Sequence, residues 1–250
     1  MHPEIVHICG FTLYAYGLAL ALAMAAGVWL SARRAARFGF APDDVFDAAM
    51  PVVLSGLLGA KLLFLATSWR EYAANPWAIL ASIRGGFVYY GSFIGGAAGA
   101  IAWLRWKKYP ILPFGDVVAP GLALGQAIGR IGCFFNGCCY GGPVSWGVIF
   151  PSLGDGIARH PVQLYESAGT LLLALGLTRL APQGKGGRVL GLYLVGYGVL
   201  RFLLEILRAD DRGPVLPLGL SVSQALSLAG ILIGSFLFLR GAGPAKGGNS

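Results

Sequence analysis

Seven apolar stretches of about 20 residues, joined by short loops, constrain this chain more than any other feature. At a rise of about 1.5 Å per residue, each is long enough to cross a hydrocarbon core of about 30 Å as a helix. They fall near residues 11–30, 46–67, 87–104, 114–134, 163–180, 189–207 and 220–239. Backbone groups have no water to bond inside a bilayer, so such runs cross as helices, which satisfy their own N–H and C=O groups. The sequence therefore predicts an all-α integral membrane protein with about seven transmembrane helices. It reads as a single polytopic membrane domain over 1–250, with short loops and external segments near 68–86, 135–162 and 208–219.

Composition excludes the main alternatives. Charged residues make up 12% of the chain and hydrophobic residues 56%, whereas a soluble domain carries about 25% charged residues. Disorder and collagen are excluded on the same ground. The net charge of +8 resembles a nucleic-acid footprint, but 16 of the 19 Lys and Arg lie in loops and do not form one basic face, so no nucleic acid is expected as a partner. The 39 glycines point to closely packed spanning helices.

The basic residues also set an orientation. Arg33, Arg34, Arg37, Arg105, Lys107, Lys108, Arg179, Lys185, Arg188, Arg240 and Lys246 fall on one side. Arg70, Arg84, Arg159, Arg208 and Arg212 fall on the other. The positive-inside rule then places the N-terminus outside and the C-terminus in the cytoplasm. The first stretch reads as an uncleaved span rather than a signal peptide, because no basic residue precedes it and three follow it closely.

Lys61, Arg130 and Arg201 remain inside spans, where an ionised group requires a partner or a wet cavity. Arg201 and Glu205, four residues apart, share a helix face that Arg208 continues toward water. Two readings follow: a structural Arg201–Glu205 pair with snorkelling neighbours, or an anion site on which Arg130 and Arg201 converge. Lys61 is either a third cation of that site or a buried structural charge.

Residues 125–141 read Gly-Gln-Ala-Ile-Gly-Arg-Ile-Gly-Cys-Phe-Phe-Asn-Gly-Cys-Cys-Tyr-Gly and place Arg130, Asn136 and several glycines at the external mouth of the fourth span. Glycines there allow close backbone approach and exposed N–H groups, and an arginine can grip a phosphate with two donors. Downstream stand Arg159-His160-Pro161-Val162-Gln163-Leu164-Tyr165-Glu166, then Gly191-Leu192-Tyr193, then a block from Tyr197 through Arg201, Glu205 and Arg208 to Asp210. With Tyr16-Gly17, Gly85-Gly86, Gly219 and Ser223-Gln224, these ordered blocks resemble the prolipoprotein diacylglyceryl transferase family over most of the chain.

The resemblance implies a seven-helix enzyme of the bacterial inner membrane whose site faces the outer leaflet, toward the periplasm. Such an enzyme moves a diacylglyceryl group from phosphatidylglycerol to the lipobox cysteine of an exported prolipoprotein, or to a related thiol acceptor. The partners implied are phosphatidylglycerol, the prolipoprotein signal peptide and membrane lipids. Chemically this is thiolate displacement at an sp3 carbon with a phosphate leaving group, which calls for fixed positive charge where phosphate charge develops. Arg130 and Arg201 stand at the family's phosphate-contacting positions. Tyr16 and Tyr197 match supporting tyrosines, Gly141 a turn glycine, and Glu205 a partner that holds Arg201 in place. A non-catalytic protein of the same fold, binding or translocating phospholipid, is the alternative from another class.

The chain departs from the family pattern in two places. Gly85-Gly86-Phe87-Val88-Tyr89-Tyr90-Gly91 puts Tyr90 where the family has a histidine, and tyrosine, with a reference pKa of about 10, is a poor proton acceptor near neutrality. Tyr90 is then either an active-site group that meets the lipid headgroup or an interfacial belt tyrosine. Cys133, Cys138 and Cys139 replace other residue types in the glycine-rich block. They allow a disulfide between Cys133 and Cys138 or Cys139, a reactive thiol beside Arg130, small buried packing residues or, against the absence of finger-type spacing, a metal site. The expectation is that no metal is bound. His160 is a candidate base or a positional residue before Pro161. No nucleotide loop, haem motif or Ser-His-Asp grouping is present, and no organic cofactor is implied.

Overall fold

The computed structural model describes residues 4–8, 11–69, 88–182, 186–210, 216 and 219–241. Seven long helices appear among them: α1 (Ala15–Ala35), α2 (Pro42–Thr67), α3 (Tyr89–Trp106), α4 (Ile111–Asn136), α5 (Val162–Thr178), α6 (Arg188–Leu207) and α7 (Val222–Gly241). Each coincides with one predicted stretch to within five residues at either end. Those of α1, α2, α4, α6 and α7 are long and apolar enough to cross a membrane. The 17 residues of α5 reach only about 26 Å, and α3 dilutes its 18 residues with Gly91, Gly95, Gly96 and Gly99.

Among the described residues, two small antiparallel sheets lie outside the helical expectation. One pairs β1 (Glu4–Ile8) with β2 (Phe11–Tyr14), and the other pairs β3 (Pro143–Ile149) with β4 (Ala158–Arg159). Their strands are too short and interrupted to show a period in the sequence. The first sheet leads into α1, and the second fills the connection between α4 and α5.

The chain divides into two compact units, Met1–Phe40 with Leu112–Ser250, and Ala41–Ile111. The smaller unit is the α2–α3 pair. A β-carbon added at Gly59 would lie 2.8 Å from the Gly95 Cα, and one at Gly91 would lie 2.8 Å from the Ala60 Cα. The helices therefore touch backbone to backbone, the contact that small residues permit in lipid. Asp44 accepts a hydrogen bond from the Ala41 N–H at 2.9 Å and another from the Tyr109 hydroxyl at 2.8 Å, closing the start of α2 against the end of the unit.

In the larger unit, α4, α5 and α6 meet around Ala119, Ala123, Ala174, Leu177, Val189 and Tyr193. Gly27 of α1 faces the Gly121 carbonyl of α4, and Gly191 of α6 faces the Gly234 carbonyl of α7, both too closely for a side chain. Two of the buried charged groups are held by backbone. Asp116 is fully buried and accepts hydrogen bonds from the Gly187 N–H (2.7 Å) and the Leu190 N–H (2.8 Å), so a carboxylate caps the N-terminus of α6. At the other end of α5, Arg34 donates to the carbonyls of Thr178 (2.6 Å) and Leu180 (3.1 Å). The outer faces are apolar: Leu232, Phe236 and Leu239 of α7 are 62–72% exposed, a surface that suits acyl chains rather than water.

Candidate active site

The site residues sit where the C-terminal turns of α4 and α6 meet the N-terminal turns of α5 and α7. Arg130 reaches from α4 to Glu166 of α5, with Nη2 3.0 Å from Oε1. The Tyr197 hydroxyl of α6 donates to the same oxygen at 3.0 Å. One carboxylate therefore ties three helices together, and its side chain is 2% exposed while that of Arg130 keeps 20%. A buried carboxylate needs such partners, because burial without them is far more costly than the pairing gains.

One turn beyond Tyr197 on α6, Arg201 pairs with Glu205 at 2.6 Å and donates from Nη2 to the Ser223 hydroxyl of α7 at 3.1 Å. The i,i+4 partner foreseen in the sequence is thus present. Arg201 Nη1 is buried and has no hydrogen-bond partner among the described residues. A buried guanidinium with an unused donor is set up to receive an oxyanion. Arg208 follows on the same face, 3.8 Å from Glu205, and makes two bonds to Asp210 at 2.9 and 2.6 Å. Burial would lower the Arg208 pKa, but the Asp210 hydrogen bonds outweigh it, and the guanidinium stays charged.

Below these arginines the chain crosses itself at Gly141. The Gly141 N–H donates to the His160 carbonyl (2.9 Å), the His160 N–H to the Gly142 carbonyl (3.0 Å), and the Gly142 N–H to the Leu207 carbonyl (2.9 Å). A β-carbon at Gly141 would lie 2.7 Å from both the Leu207 oxygen and the His160 Cβ. The backbone of Gly141 is not among the positive-φ glycines, so what the position requires is close approach of three segments rather than the turn that the sequence suggested. The His160 ring is held edge-on by Trp146 and Tyr165, with centroids 5.2 and 6.1 Å away, and its Nδ1 lies 3.3 Å from the Tyr165 hydroxyl.

The three cysteines also converge. The sulfurs of Cys133, Cys138 and Cys139 all lie within 4.8 Å of one another, each is half-buried, and all three are thiols. Asn136 ends α4, exposed, beside them. Hydrogen bonds from Cys133 and then Cys139 pull the Cys138 thiol well below its usual pKa, aided by Asn136 and Arg130. Tyr16 in the first turn of α1 is 44% exposed and within the electrostatic reach of Arg130 and the cysteines. Cys9 and the Gly85-Gly86 pair lie outside the described residues.

Tyr90 and Lys61 belong to the smaller unit. Tyr90 lies in the first turn of α3 and is 37% exposed, and the Lys61 ammonium stands 5.1 Å from the centre of the Phe64 ring. The sequence reading named Glu166, Ser223 and Gln163 within its motif blocks but gave them no role of their own. Glu166 was findable, since a carboxylate inside a span implies a cation nearby. Ser223 and the fully buried Gln163, which donates to the Cys138 carbonyl, carry no charge to mark them.

A helical membrane bundle that places two arginines, each paired with a carboxylate, at one end of its helices defines a multi-pass membrane protein with a charged polar centre. The chain belongs to the prolipoprotein diacylglyceryl transferase family, whose model matches residues 3–240. Among its relatives, the phosphatidylglycerol–prolipoprotein diacylglyceryl transferase of Clostridium tetani is 40% identical over 244 residues, covering 95% of this chain and 97% of that protein. The protein of the same name from Synechococcus elongatus is 38% identical over 248 residues, covering 93% and 84%. That from Bordetella bronchiseptica is 37% identical over 207 residues, covering 81% and 78%.

Proposed function

We propose that this chain transfers the diacylglyceryl group of phosphatidylglycerol to the cysteine thiol of a prolipoprotein, at a site on the outer face of the bacterial inner membrane. The sulfur attacks the glyceryl carbon next to the phosphate. The C–S bond forms as the C–O bond breaks, and the electron pair leaves with glycerol phosphate. The observation that carries the residue assignment is the buried Nη1 of Arg201, without a hydrogen-bond partner among the described residues and one turn from the Tyr197–Glu166–Arg130 link.

In this reading Arg201 meets the headgroup phosphate directly, and its charge offsets the charge that grows on the leaving oxygen. Arg130 supplies the second cation from α4. Glu166 and Glu205 orient the two guanidiniums and leave N–H donors over for a ligand, because each guanidinium has more donors than these contacts use. Tyr16, Asn136 and Tyr197 border the headgroup, His160 lines the mouth, and Tyr90 occupies the place of the family's histidine.

The test is transfer of labelled diacylglycerol from phosphatidylglycerol to a lipobox peptide by the purified protein, with the Clostridium tetani relative as control. The expected result is a thioether product that is lost in Arg201→Ala. Phosphatidylglycerol binding without product, while the control works, would overturn the transferase reading and return the lipid-binding alternative.

A further inference from the structure

Cys133, Cys138 and Cys139 sit next to Arg130 in a geometry that a disulfide or simple packing does not require. Cys133 follows Arg130 by one turn of α4. The chain then reverses through Gly137 at φ 75° and Cys139 at φ 67°. A left-handed cysteine is uncommon, because its β-carbon crowds the carbonyl. Neighbouring side chains in an extended segment point to opposite faces, whereas here the two sulfurs of the adjacent pair come within 3.6 Å of each other. The Gln163 amide holds the turn by donating to the Cys138 carbonyl. The result is three sulfurs within 4.8 Å, close to the separation of about 3.8 Å that thiolates take around a tetrahedral zinc ion with bonds of about 2.3 Å.

We propose that Cys133, Cys138 and Cys139 bind one zinc ion whose fourth position receives the thiol of the acceptor. Thiolate sulfur selects soft or borderline cations, zinc among them. Among the described residues no His, Asp or Glu joins the group as a fourth ligand. Three protein ligands with one position open is the arrangement of a reactive zinc site, while structural sites are closed by four. A thiol that coordinates zinc gives up its proton, so the site does what a general base would otherwise do, in a chain that carries Tyr90 in place of the family's histidine.

The site rests on the reading of the acceptor as a cysteine thiol. The acceptor sulfur displaces water from zinc, and its proton passes to solvent. The sulfur then forms its bond to the glyceryl carbon as the carbon–oxygen bond to phosphate breaks, and glycerol phosphate departs with the electron pair beside Arg130. Zinc keeps its oxidation state throughout. Three thiolates and Zn2+ sum to one negative charge, and two once the acceptor thiolate joins them, which makes the bound sulfur more nucleophilic.

The experiment uses the full-length protein in phosphatidylglycerol nanodiscs, purified without chelator. Elemental analysis should find about one zinc per chain, and Cys133→Ser and Cys138→Ser should each lower it at least tenfold. Cobalt exchanged into the wild-type protein should show thiolate-to-metal charge transfer and the strong visible bands of a tetrahedral site. Those bands should shift when a lipobox peptide is added and stay fixed with its Cys→Ser counterpart. Zinc well below one per chain, a disulfide between any two of the three cysteines in the protein as isolated, or a cobalt spectrum indifferent to the peptide thiol would overturn the proposal. The spectrum is read without turnover, so it separates failure of this site from failure of the transferase reading: an inactive protein with a thiol-responsive cobalt site fails only the latter.

Discussion

Glu166 is the residue on which most of the polar centre depends, since it receives both Arg130 and Tyr197 on one oxygen. Glu166→Gln keeps its shape but leaves Arg130 without a counter-charge. Breaking one half of a buried pair typically costs about 3–5 kcal/mol. A clear drop in the detergent thermal midpoint is expected, partly restored by adding Arg130→Gln, and a double-mutant cycle measures the coupling. Arg201→Lys retains charge but loses the fork that spans Glu205, Ser223 and the open Nη1 position. Transfer should fall by about tenfold or more, equivalent to about 1.4 kcal/mol in the barrier, with the labelled-lipid assay as the measure. Gly141→Ala should destabilise by about 1–3 kcal/mol through overpacking, read from the same thermal scan. The Arg201–Glu205 pair was legible in the sequence because an i,i+4 spacing on one helix is enough to make it. Arg130–Glu166 was not, because its partners are 36 positions apart and only the packing of α4 on α5 joins them.

At the level of elements, hydropathy marks where a helix is apolar but not where it ends. The first span was expected over 11–30, yet α1 runs from Ala15 to Ala35. Its last turns carry Arg33 and Arg34, which stay helical because Arg34 finds carbonyl acceptors on the α5 terminus. Likewise the short strands over 143–149 and 158–159 follow no hydropathy period, and their pairing depends on the crossing at Gly141. The α2–α3 contact makes a direct prediction. Gly95→Val should force the two backbones apart, since even a β-carbon there meets the Gly59 Cα at 2.9 Å. Membrane yield of folded protein should fall sharply, and limited proteolysis should cut within 41–111 first. Asp116→Asn should leave the start of α6 poorly capped, at about 1–3 kcal/mol, seen as faster amide exchange at Gly187 and Leu190.

For the whole molecule, alternating basic loops are the strongest statement the sequence makes, and they specify an orientation that can be checked without any assay of chemistry. A fluorescent reporter fused after Gly241 should fold and glow in the cytoplasm, while alkaline phosphatase at the same point should stay inactive. The reverse pattern would place the polar centre on the wrong side for an exported acceptor. The seven long helices were readable because each is dictated by one run of apolar residues, and five of them are long and apolar enough to cross a membrane. The polar centre was half readable, since its cations stand out in a span, whereas uncharged Ser223 and Gln163 acquire meaning only through their neighbours. Arg34 adds a consequence of another kind. The positive-inside rule counts it among the cations expected to keep their loop from being translocated, while in the folded protein it is 4% exposed and bound to the end of α5. One side chain is thus expected to serve in succession as a routing signal and a rivet, so Arg34→Gln should leave the direction of threading intact while loosening the joint between the ends of α1 and α5.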